Sequence, residues 1–552
     1  MKIKLDWKII LFSLVILLAI FLRLWHFHDW LFFKMDQARD ASTIQRAFEQ
    51  GPGWLPFLGP KAGGTSANVG PAFYYFQYFS AVLFQSVRPE VLAFPDLLFS
   101  ILSIPLFYFF LKKYFSRDWS LILASLYAVC FLGIEYSRFA WNPNSLVFFN
   151  LLFFYALLNI FDEKTKYKLR WIILAGISFA VSTQLHFLSF ATLPIITTLF
   201  ILFTWREAKK HLILKNTAIF LGIVLFLYLP VFFNEIVTHG KNIQAFVAAV
   251  KSKPSSHSFS ENILKNIFYF GYYWLLILTG WISKKDNLVL SIIVWLGLIL
   301  PALLLGKHFF QQEKNSLKKK FILLSGLWLA VYFLAYIPFA YQIRPRFFLP
   351  LLALPFVFMG YIVKYLWEKE RKIFKAAVAI LLAVVFWGNL YGTYLWFEEI
   401  KLSQKEAVYP QRTIILKARD GIVLWHLEKA VEYMKEKCPS KEVYYKTSAE
   451  YKRPVKYLLN LSGKKAGPIE AIKIGSPNQC VFILGLSRKK EMPFVQETTS
   501  DFFVEESRKI GALTVYKLSP QKDLWGKPLS TYEKGSSDEE KLKRAFWRDL
   551  WK

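Results

Sequence analysis

The chain has 552 residues, of which 55% are hydrophobic and 18% aromatic, and it carries a formal net charge of +30. Apolar stretches of roughly 17–24 residues recur from the N-terminus to about residue 397, each long enough to cross a bilayer, which excludes an ordinary soluble enzyme. The positive charge does not point to nucleic acid, because much of it falls in short Lys/Arg clusters between apolar stretches, the signature of cytoplasmic loops.

In chain order, the first apolar stretch runs from Trp7 to Trp25. It is too long for a cleaved leader and lacks a small-residue cleavage site, so it is expected to stay as a membrane anchor. Basic clusters follow at Lys2/Lys4/Lys8, Lys112/Lys113/Arg117, Lys164–Arg170, Arg206–Lys215, Lys307–Lys320 and Lys369–Lys375. All six can face inward only if two apolar segments, about 71–87 and about 263–282, do not cross; both are expected to be juxtamembrane or re-entrant helices. The count is then about eleven crossings, or thirteen if both cross. The expected fold class is a polytopic α-helical membrane protein with residues 1–397 in the membrane part and 398–552 in an extracytoplasmic α/β domain. The outer loops are 29–93, Arg138–Ser145, 234–287 and the tight turn at Gln342–Arg346.

In the C-terminal region the periodicity of Leu424, Leu427, Val431 and Met434 predicts a helix over Leu424–Lys437, and Tyr451–Leu461 predicts another. Strands are expected at Glu442–Thr447, Cys480–Leu486 and Leu513–Leu518. Ser536–Lys552 is expected to be an exposed helix or a frayed tail. Of three cysteines, Cys130 lies in an apolar stretch. Cys438 and Cys480 are expected to be free thiols, a disulfide being the alternative if the region lies outside.

The candidate chemistry sits on the outer loops. Asp36 lies a short distance beyond the first span and opens an amphipathic helix with Ala41, Ile44, Ala47 and Phe48 on one face. It is either an N-cap or a carboxylate poised at the boundary where a lipid-linked substrate presents its reacting group. Asp40 falls one turn later with Arg39 beside both, either as a solvated pair or to keep the carboxylates ionised as proton acceptors. The Gly/Pro-rich run Gly59–Ser66 with Lys61 is either a connector or a phosphate cradle. Arg344 and Arg346 at the outer membrane edge either snorkel to head groups or clamp a phosphate; Arg138 is a further candidate. His26 and His28 are interfacial, and His186, Glu235, His239 and His257 lie near outer edges. No metal-ligand spacing occurs, so no metal or other cofactor is expected.

These residues, in this order, resemble the GT-C superfamily of membrane glycosyltransferases. The type is family 39: protein O-mannosyltransferases, aminoarabinose transferases and the bacterial RgtA/B-like group. Asp36-Gln37-Ala38-Arg39-Asp40 resembles the family's acidic motif, with Gln37 where many members have Glu. Gly70-Pro71-Ala72-Phe73-Tyr74-Tyr75 is similar to its Pro-Pro-x-Tyr-Tyr segment without the leading basic residue. Tyr136-Ser137-Arg138-Phe139-Ala140-Trp141-Asn142-Pro143-Asn144 resembles its Tyr-Ser-Arg block, and Arg344-Pro345-Arg346-Phe347-Phe348-Leu349-Pro350 its Arg-Tyr-Leu-Leu-Pro block. The resemblance covers about residues 8–397. It implies Asp36 as general base with Asp40 and Arg39 beside it. Arg344, Arg346, Arg138, Lys61, Tyr74, Tyr75, Asn142 and Asn144 would contact the donor phosphate or the acceptor. The implied reaction moves a sugar, with inversion, from a polyprenyl-phosphate-sugar to a protein, lipid or glycan acceptor on the outer face of the cell membrane. The competing expectation is a lipid-linked sugar flippase or transporter, which needs ionisable groups deep within the spans.

Overall fold

A computed structural model describes residues 7–63, 65–210, 213–251, 257–282, 288–408, 410–439, 442–469, 479–487, 502–520 and 545–550. Lys2, Lys4, Gly64 and most of the expected C-terminal tail lie outside the described residues. Helices α1 (Trp7–Leu24), α2 (Met35–Gln50), α3 (Ala72–Leu83) and α4 (Pro89–Leu111) open the chain. They are followed by α5 (Arg117–Ala128), α6 (Phe131–Tyr136), α7 (Leu146–Ile160), α8 (Lys168–Leu185), α9 (Phe187–Phe203), α10 (Trp205–Ala208), α11 (Leu214–Val237) and α12 (Lys241–Lys251). Then come α13 (Phe259–Thr279), α14 (Leu288–Val294), α15 (Leu300–Gln312), α16 (Ser316–Tyr336), α17 (Leu354–Glu368) and α18 (Lys372–Ser403).

Among the described residues six helices are long and apolar enough to cross a membrane: α1, α4, α11, Leu288–Gln312, Ser316–Gln342 and α18. A seventh counts if Pro345–Leu351 and α17, bent by 56°, form one span. The other expected crossings, α5 with α6, α7, α8 and α9, are shorter or more polar helices. Only 6% of the apolar window of α11 is buried against 56% in Ser316–Gln342, so α11 presents its hydrocarbon face to lipid while α16 is central. At 1.5 Å per residue α3 reaches only ~18 Å, short of a hydrocarbon core of ~30 Å, whereas α13, over the second segment expected not to cross, is 21 residues long.

Small residues let helices meet at backbone distance. A Cβ on Gly388 of α18 would stand 2.5 Å from Thr279 O at the end of α13. Next to it the buried Asn389 donates to Leu278 O at 2.6 Å and accepts from Phe131 N–H at 2.8 Å, joining three segments. An amide in hydrocarbon keeps its place by such partners.

The composition break near Phe397 falls inside α18, which runs on to Ser403. Ser403 O accepts from Ala512 N–H and pairs with His426 Nε2 at 2.8 Å, so the last span continues rigidly into the C-terminal domain. There α19 (Leu424–Lys437) and α20 (Ala449–Leu461) flank a five-stranded sheet. Its strands are β1 (Glu442–Thr447), β2 (Lys465–Pro468), β3 (Gln479–Leu486), β4 (Phe502–Ile510) and β5 (Leu513–Pro520), in the order β2-β1-β3-β5-β4. β1 pairs in parallel with β2 and β3; β5 runs antiparallel to β3 and β4. The domain is tied to the loop after α1. Leu424 N–H donates to Leu31 O, and the His28 imidazole lies 2.8 Å from Glu428 and 3.3 Å from Glu90. Those two carboxylates push His28 up to about 10.

The expectation of free thiols is corrected: Cys438 and Cys480 form a disulfide with Cα atoms 5.8 Å apart. Cys480 lies in β3 opposite Val443 of β1, and Cys438 closes α19 just before β1, so chain topology brings them together. Breaking it with Cys480→Ser is expected to cost about 2–4 kcal/mol. Thermal unfolding in detergent checks this, and a melting point unchanged by the substitution would contradict it.

Candidate active site

The first turn of α2 is built around a buried lysine. Lys34, not Asp36, occupies the N-cap, and its N–H donates to Gln37 Oε1 at 3.2 Å. A cation at the positive end of a helix is unfavourable. It is offset by the C-terminal domain, where Lys34 Nζ meets Asp420 Oδ2 at 2.6 Å and also contacts the Tyr451 hydroxyl. Asp36 therefore takes the second helical position, where the dipole favours a carboxylate.

Arg39 bridges both carboxylates. Its Nη1 donates to Asp36 Oδ1 at 2.9 Å, and its Nε and Nη2 donate to Asp40 at 2.9 and 3.1 Å. Asp40 is 1% exposed and also accepts from the Tyr74 hydroxyl at 2.8 Å. Asp40 is thus consumed in holding Arg39, whereas the second oxygen of Asp36, whose side chain is 34% exposed, has no partner among the described residues.

Asp36 and Arg39 line a cavity of about 370 Å³. Its other walls are the loop Pro60–Val69, the turn Trp141–Pro143, His186–Leu188, Phe246 of α12, and Gln342 with Arg346 and Phe347. The loop is a hairpin: Gly59 N–H donates to Val69 O, Ala62 N–H to Ala67 O and Val69 N–H to Pro60 O. Those amides are therefore spent internally, and what the hairpin offers the cavity is Lys61 and the bare backbone of Gly63. A Cβ there would stand 2.9 Å from Arg346 Nη2. The Arg346 guanidinium lies 5.0 Å from the Trp141 ring centroid, a cation–π distance, and forms no hydrogen bond or ion pair with any described residue.

Two further residues shape this cavity. Asp96, inside the apolar α4, accepts from Trp141 N–H at 2.9 Å and from Ser145 Oγ at 2.5 Å, and so fixes the turn whose indole carries Arg346. His186 caps α9, its Nδ1 accepting from Leu188 N–H at 3.2 Å. Burial and the neighbouring Arg346 push it down to about 3, so it is neutral and Nε2 carries the proton. Among the described residues no group of three His, Cys, Asp or Glu is placed to hold a metal.

Residues 68–233 match the model of the dolichyl-phosphate-mannose-protein mannosyltransferase family, a stretch that includes Trp141, Asn142 and His186 but neither Asp36 nor Arg346. No curated protein matches the chain. Among solved structures, ArnT from Cupriavidus metallidurans bound to undecaprenyl phosphate superposes with a TM-score of 0.55 at 13% identity. The match covers 93% of this chain and 99% of that one. The chain has the GT-C fold of membrane glycosyltransferases. ArnT in the apo state gives the same values. The oligosaccharyltransferase of Archaeoglobus fulgidus matches at 12% identity and a TM-score of 0.48, over 88% of this chain and 70% of that chain.

On this GT-C frame the expected site residues separate. Asp36, Arg39, Lys61, Asn142 and Arg346 share the cavity; Asn142 also donates to Leu185 O at 2.6 Å. Six do not line it. Asp40 and Tyr74 are buried behind Arg39. Tyr75 donates to Pro56 O, and Asn144 is buried and donates to Phe139 O at 2.8 Å. Arg138 is spent on the end of α1, donating to the carbonyls of Leu22, Arg23 and Trp25, so it is a helix cap rather than a phosphate ligand. Arg344, on the other side of Pro345, faces a separate small cleft with Tyr272 and Arg419, where its Nη1 donates to Ile343 O at 3.3 Å.

Proposed function

We propose that the chain is an inverting glycosyltransferase that moves a sugar from a polyprenyl-phosphate-sugar to an acceptor on the outer face of the cell membrane. One observation carries this reading: Asp36, a carboxylate with one oxygen unengaged among the described residues, and Arg346, a guanidinium that stacks on Trp141 but makes no hydrogen bond or ion pair among them, open into the same cavity. The solved relative bound to undecaprenyl phosphate supports a lipid phosphate as the leaving group. Asp36 takes the proton from the acceptor hydroxyl or amine as that atom bonds to the anomeric carbon. The bond from that carbon to phosphate oxygen breaks with its electron pair, and Arg346 with Lys61 stabilises the charge on the departing polyprenyl phosphate. Attack opposite the leaving group inverts the anomeric configuration. The reaction as drawn uses no metal or other cofactor. Residues 1–397 supply the chemistry, and residues 398–552 hold α2 through Asp420 and favour one acceptor, a protein, lipid or glycan.

The transporter alternative finds no support in the buried charges. Arg23, Asp96 and Arg138 are tied to nearby backbone or hydroxyl groups. Glu135 accepts from Thr413 Oγ1 at 2.5 Å and Ile414 N–H at 3.0 Å, anchoring the C-terminal domain. Purified protein in vesicles supplied with labelled polyprenyl-phosphate-sugar and cell-envelope acceptors is expected to form a glycoside of inverted configuration. A retained configuration, or labelled donor that crosses the bilayer without transfer, would sink the proposal.

A further inference from the structure

Residues 545–550 pack on the outer loop that walls the cavity. Phe57 N–H donates to Ala545 O at 3.0 Å, Trp547 N–H donates to Leu55 O at 3.3 Å, and Pro56 faces Phe546 in an antiparallel bridge. This pairing lies immediately before the hairpin that carries Lys61.

The side chains tighten it. The Arg548 guanidinium stands 3.1 Å from the Trp54 ring centroid and that of Arg46, from α2, stands 3.4 Å from it. Two guanidiniums that close to one centroid must take opposite faces of the ring, so Trp54 is clasped between α2 and the Arg548 segment. The Trp547 ring packs 5.1 Å from Phe57, and its N–H donates to the Tyr75 hydroxyl at 3.0 Å. Tyr75 adjoins Tyr74, the residue that holds Asp40 and through it Arg39.

A lone two-stranded hairpin is marginally stable in water. Here the hairpin is held on one side by the Asn242 amide on Asn68 and on the other by residues 545–550. We propose that Phe546, Trp547 and Arg548 are positioning residues that fix the Trp54–Val69 wall so that Lys61 meets the donor phosphate. The function assigned to them rests on the transferase reading; their anchoring role does not.

The test compares the full chain with one that stops before Ala545, and with Trp547→Ala and Trp547→Phe, each checked for an unchanged melting point. Hydrogen exchange at the Phe57, Gly59 and Val69 amides is expected to quicken in the truncated and Trp547→Ala proteins. A misplaced wall of this kind is expected to raise the donor KM about tenfold or more, with Trp547→Phe recovering most of the loss. Unchanged exchange would overturn the anchoring. Quickened exchange with an unchanged donor KM would overturn the positioning role. If the intact protein transfers no sugar, the transferase reading and with it the positioning role fail, while exchange still decides the anchoring. If the truncated protein melts early, the two point variants decide between these outcomes.

Discussion

Asp36→Asn is expected to lower sugar transfer by about 10²–10⁴-fold, the contribution of a positioned general base, while leaving the fold intact. The separation of effects follows from the contacts. Asparagine keeps an oxygen that can accept from Arg39 Nη1, and Arg39 retains both hydrogen bonds to Asp40. The Asp36 side chain is partly exposed, so its ion pair with Arg39 contributes at most ~1 kcal/mol. The amide cannot take a proton at neutral pH, so kcat falls while donor affinity, which depends on the cationic side of the cavity, changes little. Initial rates and a melting curve in the same detergent check both halves. Wild-type rates in the variant would remove Asp36 from the chemistry.

Arg346→Ala is expected to reduce transfer by roughly 10²–10³-fold, the range for deleting one preorganised group that stabilises developing charge. It should not lower the melting point. A guanidinium partly removed from water, with ring contacts to Trp141 and Phe347 but no hydrogen bond or ion pair among the described residues, contributes little net stability. The same substitution should weaken inhibition by free polyprenyl phosphate. Arg346→Lys keeps the charge but loses the planar fork and the stack on Trp141, and should recover only part of the rate. A large loss of stability with normal turnover would show that Arg346 is a structural residue.

The acidic opening of α2 was legible in the sequence because the helix period places Asp36, Arg39 and Asp40 together. What capped the helix was not, since the Lys34 partner Asp420 lies 386 positions away. Arg344 and Arg346 read alike as a pair at the membrane edge. Only the 3-10 turn Pro345–Leu351 sends one into the cavity and the other to a different cleft. Arg138 stood in a motif that pointed to phosphate. Its work on the last carbonyls of α1 becomes visible only when the second outer loop is seen packed on that helix end. Asp96 gave a signal, a charge within an apolar helix, but its task of fixing Trp141 depends on tertiary contact.

In the C-terminal domain the strands at β1, β3 and β5 follow their β-branched and aromatic residues. Strand β4 hides because its seven middle residues are exposed and do not alternate, and β2 because Lys465–Pro468 is short and contains Gly and Pro. The disulfide escaped for a related reason: residues 42 positions apart meet only once β3 is known to lie beside β1.

Single cysteines placed at Lys61 and Asn142, probed in intact cells with a membrane-impermeant thiol reagent in the presence and absence of polyprenyl phosphate, test the shared outer cavity most directly. Both positions should label from outside, and both should be shielded when the lipid phosphate is bound. Labelling only after the membrane is opened, or labelling that the lipid phosphate leaves untouched, would contradict a reaction centre built from Asp36 and Arg346 on the outer face.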